Sequence, residues 1–136
     1  MDEIKFRTPL QLMNDAQKEW FATAIISMVL ADGNVSQGEV SMLMRSISFV
    51  KDPRVSDSLK KFIHHSTPPT LSIFKGWDKE PKNRARMMLD LLDVAIADRD
   101  ISDTERDQFQ QIGKLLGFPP SKVTELIQMG EASIES

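Results

Sequence analysis

The chain reads ADGNVSQGE at residues 31–39 and ADRDISDTE at residues 97–105, so one nine-residue pattern occurs twice and aligns without a gap. Four of the nine positions are identical, and the Asn/Asp and Val/Ile pairs are conservative. In both copies an apolar segment precedes the pattern and an amphipathic segment follows it. The sequence therefore predicts an internal duplication in which each copy is a helix–loop–helix unit.

Helical spacing of apolar residues extends outward from both copies, and no segment alternates with a period of two. We therefore predict an all-α fold, a single-domain helical bundle of about seven to eight helices made of two pseudo-symmetric halves. The first helix begins at Thr8 or restarts at Asp15. Proline and glycine mark further boundaries: new starts are predicted at Asp52-Pro53 and Pro119-Pro120, and helix ends at Gly33, Gly117 and Gly130.

The duplication also divides the chain. We treat residues 1–136 as one domain, with a first repeat at about 15–63, a bridge at 66–81 and a second repeat at about 82–128. The bridge contains three of the chain's seven prolines, if Pro81 is included, and is the only irregular segment. The tail after Gly130 is expected to fray.

Composition excludes several classes of function. The net charge of −3 disfavours nucleic-acid binding and electrostatic membrane binding, and no apolar run is long enough to span a bilayer. The absence of cysteine excludes disulfides, thiolate catalysis and zinc–sulfur sites. No phosphate-binding glycine loop, metalloprotease motif or nucleophile elbow occurs, so we predict a protein that is not an enzyme. The N-terminus carries no apolar leader, which predicts a cytoplasmic location.

Helix capping accounts for much of the repeated motif. Ser36 with Glu39, and Ser102 with Glu105, have the spacing of a capping box, in which the hydroxyl and the carboxylate each satisfy a backbone amide at a helix start. Asp32 can form a turn of its own with the amide two residues on, as can its counterpart in the second copy. On this interpretation the two segments that contain the motif, which we name the acidic connections, serve only to end one helix and begin the next.

A second interpretation, which stays open, is a divalent-cation site. A carboxylate just after a helix C-terminus opposes the helix dipole by about 0.3–1 kcal/mol, so capping does not explain every acidic residue. Residues 98–107 contain five acidic residues and two arginines, a net charge of −3. Carboxylate, amide and hydroxyl oxygens suit Ca²⁺ or Mg²⁺. The candidate ligands are Asp32, Asn34, Glu39, Asp98, Asp100 and Glu105.

The glutamate position distinguishes this motif from an EF-hand. An EF-hand loop needs glycine at its sixth position and a bidentate glutamate at its twelfth, whereas the glutamate is eighth here. Asp90 and Asp93, on the helix before the second copy, are further ligand candidates. A solvated helix face, with Arg86 and Asp90 as an ordinary pair one turn apart, is the favoured interpretation of both.

The motif resembles the TerB-like tellurite-resistance family and is similar to the membrane-proximal helical domain of certain J-domain co-chaperones. The residues that carry the resemblance are Ala31-Asp32-Gly33, Val35-Ser36, Glu39, Ala97-Asp98, Ile101-Ser102, Glu105 and Leu116-Gly117-Phe118-Pro119. The resemblance covers roughly residues 15–128. It implies an all-helical fold with pseudo-symmetric halves, an acidic surface that holds a divalent metal, and a non-catalytic role in stress or tellurite resistance. Arg99 departs from the pattern, because the family has glycine there.

Two function classes therefore remain. One is a TerB-like stress-response domain that binds a divalent cation, Ca²⁺ or Mg²⁺, at its acidic connections. The other is a helical protein-interaction module whose connections are only caps. Both interpretations include an unidentified protein partner, and a homodimer is an open alternative.

Overall fold

Six α-helices make up the secondary structure of the described residues in a computed structural model of the chain. The structure describes residues 11, 13–31, 37–65, 67, 69, 71, 81–95 and 103–135. The helices are α1 (Asp15–Val29), α2 (Gln37–Ser46), α3 (Pro53–His64), α4 (Pro81–Ala95), α5 (Asp103–Leu115) and α6 (Pro120–Glu135). Within these ranges there is no β-strand, which confirms the all-α prediction. The helix start predicted at Thr8 and most of the bridge lie outside the described residues.

Local capping chemistry sets the helix starts that the structure describes. The Asn14 side chain accepts a hydrogen bond from the backbone N–H of Gln17 at 2.8 Å, and the Gln17 side chain accepts one from the backbone N–H of Asn14 at 2.9 Å. This capping box begins α1 at Asp15, the predicted restart. At α3 the Asp52 carboxylate accepts from the Arg54 amide at 3.0 Å, and Pro53 occupies the first helical position. The predicted start at Asp52-Pro53 is confirmed.

The core lies around α1 and α4, which pack against each other. Helix α1 also packs against α2, α3 and α5, while α4 packs against α5 and α6. Because α1 has neighbours on several sides, it is buried around nearly its whole circumference from Trp20 to Val29. The Phe21 and Phe49 rings stack with centroids 5.7 Å apart, which fixes the turn after α2 against α1.

Two glycines that were both predicted to end helices have different roles in the structure. Gly117, two residues after the last residue of α5, has φ of 90°, and this left-handed conformation ends the helix as predicted. Gly130 lies inside α6, so the prediction that it stops the helix is wrong. A Cβ at Gly130 would overlap the Leu92 side chain, whose Cγ would be only 3.0 Å away. Glycine is needed here because α6 approaches α4 closely.

The structure also contradicts the predicted exposure of Asp90. The favoured interpretation placed Asp90 and Asp93 on a solvated face; Asp93 is exposed, but Asp90 is only 2% exposed. At about 100° per residue, Asp90 lies roughly 60° around α4 from the buried Met87, whereas Asp93 lies about twice as far. The buried stripe of α4 is therefore wide enough to include Asp90. Its carboxylate does not lack an interaction partner.

The membrane prediction can be checked over the same residues. Among the helices that the structure describes, none has the length and hydropathy needed to cross a bilayer. This finding agrees with the absence of a long apolar run in the sequence.

The acidic connections as a candidate functional site

Each copy of the repeated motif occupies a connection between two helices. The first copy joins α1 to α2, and the second joins α4 to α5. Helix α2 begins at Gln37 and α5 begins at Asp103, each one residue after the serine predicted as its N-cap. The helix starts therefore agree with the capping interpretation. The two serines and the candidate ligands Asp32, Asn34, Asp98 and Asp100 lie outside the described residues.

The remaining candidate ligands, Glu39 and Glu105, are both the third residue of their helix. The side chain of Glu39 lies outside the described part of the chain. Glu105 is 8% exposed, although Asp103 and Asp107 on either side of it are exposed. Glu105 has an interaction partner, as a buried carboxylate needs. Burial at the third position is what a glutamate folded back over the helix start would show, so capping accounts for Glu105.

A partly buried hydrogen bond connects two of the helices that adjoin the two connections. The Gln108 side-chain amide in α5 donates to the Ser27 hydroxyl in α1 at 3.2 Å. The Ser27 hydroxyl in turn donates to the Ala24 carbonyl at 2.9 Å, and Ser27 is fully buried. Because Ser27 lies in the last turn of α1 and Gln108 in the second turn of α5, this contact joins the end of the first helix to the start of the fifth.

The same contact limits the distance between the start of the first connection and the end of the second. Ala31 lies four residues after Ser27, and Asp103 lies five residues before Gln108, which corresponds to roughly 6 Å and 8 Å of helical rise. A serine and a glutamine side chain that share a hydrogen bond place their Cα atoms within about 10 Å. Ala31 and Asp103 are therefore within about 25 Å of each other. Among the described residues, the relation between the two connections is therefore the contact of the last turn of α1 with the second turn of α5.

Neither Ser27 nor Gln108 was among the residues predicted to matter from the sequence. Ser27 interrupts the most apolar segment of the chain, and Gln108 directly precedes the buried Phe109. A hydroxyl within an apolar run signals a polar contact in the core, because a buried hydroxyl needs a hydrogen-bond partner. The sequence contained this signal for Ser27, but it could not identify a partner 81 residues away.

The described carboxylates do not form a metal site among themselves. Within residues 13–31, 37–65, 81–95 and 103–135, no group of three or more histidine or acidic side chains could hold an ion. Any cation site in the connections would therefore depend on the four candidate residues outside the described ranges. The described residues include the helices that precede and follow those four candidates in the sequence.

Ser102→Ala is expected to destabilise the protein by about 0.5–2 kcal/mol under either interpretation, since the alanine cannot accept a hydrogen bond from the first turn of α5. Chemical denaturation measures the loss. Asn14→Ala is the matched control, because Asn14 caps α1 in the same way. If Asn14→Ala is destabilising and Ser102→Ala is neutral, the N-cap of α5 is not Ser102.

The resemblance to the TerB-like family remains a matter of sequence motif. Comparison of the chain with protein-family models, curated proteins and solved structures found no match. The features of the chain that bear on its function are therefore the repeated acidic motif, the helix starts that follow it, and the contact between Ser27 and Gln108.

Proposed function

We propose that this chain is a TerB-like helical domain that acts by binding, not by catalysis, and that its two acidic connections hold a divalent cation, Ca²⁺ or Mg²⁺. The contact between Ser27 and Gln108 carries the proposal, because it joins the last turn of α1, which precedes the first connection, to the second turn of α5, which follows the second. By family resemblance, the role of the domain is in stress or tellurite resistance.

Buried positions that repeat at the interval separating the two motif copies support two pseudo-symmetric halves. Examples are Phe21 with Met87, Ile25 with Leu91, and Leu43 with Phe109. A duplicated unit explains why both connections carry the same motif.

The ligand chemistry supports a hard divalent cation. Asp32, Asp98 and Asp100 supply three carboxylates, and Asn34 supplies an amide oxygen. Ca²⁺ and Mg²⁺ prefer such oxygen ligands, and several carboxylates at one place repel each other unless a cation neutralises them. Arg99 lies between two of these carboxylates in sequence and competes with the cation. Capping leaves the aspartates and the asparagine available, because it needs only the serine and the glutamate of each copy.

The alternative function is a protein-interaction module without metal. Two observations favour it: α2 and α5 begin where capping predicts, and Glu105 is buried at the third helical position. Under this alternative the acidic residues of the connections are solvated turn residues, and a divalent cation has no effect on stability.

Thermal unfolding with added Ca²⁺ or Mg²⁺ tests the cation proposal. A cation that binds only the folded state should stabilise it by about 2.7 kcal/mol at 100 times its dissociation constant. The double variant Asp98→Asn/Asp100→Asn should lose this gain. The matched control Asp52→Asn/Asp57→Asn removes the same charge from α3 and should keep the gain, because asparagine also caps helices.

The outcomes separate the two functions. If neither cation changes the midpoint of unfolding of the unmodified protein, the cation proposal fails and the interaction module remains. If both double variants lose the gain equally, the effect of the cation is general screening of negative charge, which also contradicts a site in the connections.

A further inference from the structure

Exposed basic residues lie at both ends of α3 and on the residues that flank it, with the exposed Asp57 between the two groups; we name these basic residues the cationic face of α3. Helix α3 packs its other side against α1 and α2, with Leu59 and Ile63 buried. From Arg54 to His65 the helix rises about 16 Å. All members of the cationic face are exposed: Lys51, Arg54, Lys60, Lys61, His64 and His65.

The charge of this segment differs from that of the rest of the chain. Residues 51–65 contain four lysine or arginine residues and two aspartates, a net charge of +2. Since the whole chain has a net charge of −3, the remaining residues together have −5. Both histidines of the chain also lie in this segment. One of the two aspartates, Asp52, already uses its carboxylate to cap the helix.

The lysine and arginine side chains of this face form no ion pair with a carboxylate among the described residues, although Lys51 lines a cleft with Asp15, Glu19 and Asp52. Asp57 precedes Lys61 by one helical turn, the usual spacing of a helix ion pair, but no ion pair joins them. By contrast, Lys122 and Glu125 on α6 pair at 3.5 Å. Within the described part of the chain, the four lysine and arginine side chains of the face extend into solvent without a carboxylate partner.

Helix stability explains only one end of the cationic face. Lys61 and His64 lie in the last turn of α3, where the helix dipole favours positive charge. Lys51 and Arg54 lie at the other end, where the same dipole opposes positive charge. The start of α3 is stabilised by Asp52 and Pro53 instead. The carboxylates of Asp15, Glu19 and Asp52 line a cleft with Lys51 and account for its charge, whereas helix stability does not account for Arg54.

We propose that the cationic face of α3 is a docking surface for an acidic segment of a protein partner. An extended segment of about five residues spans the 16 Å between Arg54 and His65. Acidic residues at alternate positions of that segment would point to one side and meet the face at several points. Docking through exposed charges depends on ionic strength and adds specificity and association rate. This surface shares no residue with the acidic connections, so the inference does not depend on cation binding.

A protein segment fits this face better than the other polyanions. Nucleic-acid binding commonly uses six to ten phosphate contacts, whereas this face has four lysine or arginine residues on a chain of net charge −3. A membrane-surface helix inserts large apolar side chains between lipids. Among the described residues the exposed large apolar side chain is Met129, on α6, and no such side chain is exposed on α3.

Fluorescence anisotropy with a fluorescein-labelled octaglutamate peptide at low salt tests the proposal on the full chain. Lys60→Glu/Lys61→Glu should weaken binding by at least tenfold. The matched control Lys114→Glu/Lys122→Glu makes the same change in net charge at exposed lysines of α5 and α6, and should change binding less than twofold. Arg54→Gln/Lys61→Gln, compared with Lys114→Gln/Lys122→Gln, repeats the test with milder changes if charge reversal unfolds α3.

Several results would overturn the proposal. One such result is that the unmodified protein does not bind the peptide. Another is that the α3 variants and their controls lose affinity equally, which a change in net charge alone would cause. Tighter binding to a single-stranded oligonucleotide or to vesicles rich in phosphatidylserine would assign the face to a different class of partner. Selective loss in the α3 variants, with peptide preferred over both other probes, supports it.

Discussion

Replacing Phe109 with alanine is expected to reduce the free energy of unfolding by about 3–5 kcal/mol. Phe109 is 0% exposed and lies on α5, which packs against α1, α4 and α6. Removal of the ring forfeits its burial and leaves a cavity that three neighbouring helices cannot fill. A domain of this size commonly has only about 5–15 kcal/mol of stability, so the variant should be partly unfolded at moderate temperature.

Urea denaturation of Phe109→Ala measures the loss. Gln111→Ala is the control on the same helix, because Gln111 is exposed and its replacement should change stability by less than about 0.5 kcal/mol. If the two variants have similar midpoints, α5 is not packed into the core as described.

The paired variants Ile25→Ala and Leu91→Ala are each expected to cost about 2–5 kcal/mol. Both side chains are 0% exposed, and alignment of the two motif copies makes them equivalent positions on the two central helices. Because a duplicated unit gives equivalent positions equivalent burial, the two losses should be similar in size. Denaturation curves of the two single variants provide the comparison.

Glu19→Ala serves as the surface control for this pair, since Glu19 is exposed on α1. A large loss for Ile25→Ala together with a loss under about 1 kcal/mol for Leu91→Ala, far below the usual cost of such a cavity, would contradict a symmetric arrangement of the two halves.

Short-range chemistry made much of the fold predictable. Asp52 and Pro53 begin α3 because an aspartate cap and a proline at the first position act within one helical turn. Gly117 ends α5 because glycine adopts positive φ without steric cost. The spacing of apolar residues along α1 and α4 correctly predicts α-helix for the same reason, because helical periodicity is a property of the local sequence.

Residues whose role depends on tertiary contacts could not be predicted in this way. Gly130 has the appearance of a helix end in the sequence, but the close approach of Leu92 from another helix explains it. Asp90 has the appearance of a surface residue, but the width of the buried stripe on α4 includes it. Both roles depend on how the helices pack together, so no local pattern could reveal them.

Of the candidate site, only the helix starts that follow it can be compared with the sequence prediction, because Asp32, Asn34, Asp98 and Asp100 lie outside the described residues. The spacing of the motif predicted that α2 and α5 begin after Ser36 and Ser102, and the helices do begin there. The relation between the two connections was not predictable, because it depends on the contact between Ser27 and Gln108 across 81 residues. That contact is the reason why we propose a cation site that involves both connections.

Titration of Ca²⁺ and of Mg²⁺ into ¹⁵N-labelled protein, followed by amide chemical shifts, tests the cation proposal most directly. We predict that amides of residues 31–36 and 97–102 shift together and saturate along one binding curve. Amides of the cationic face of α3 should remain unchanged over the same titration. An absence of saturable shifts in both connections, or saturation of each connection at an unrelated concentration, would contradict a cation site shared between them.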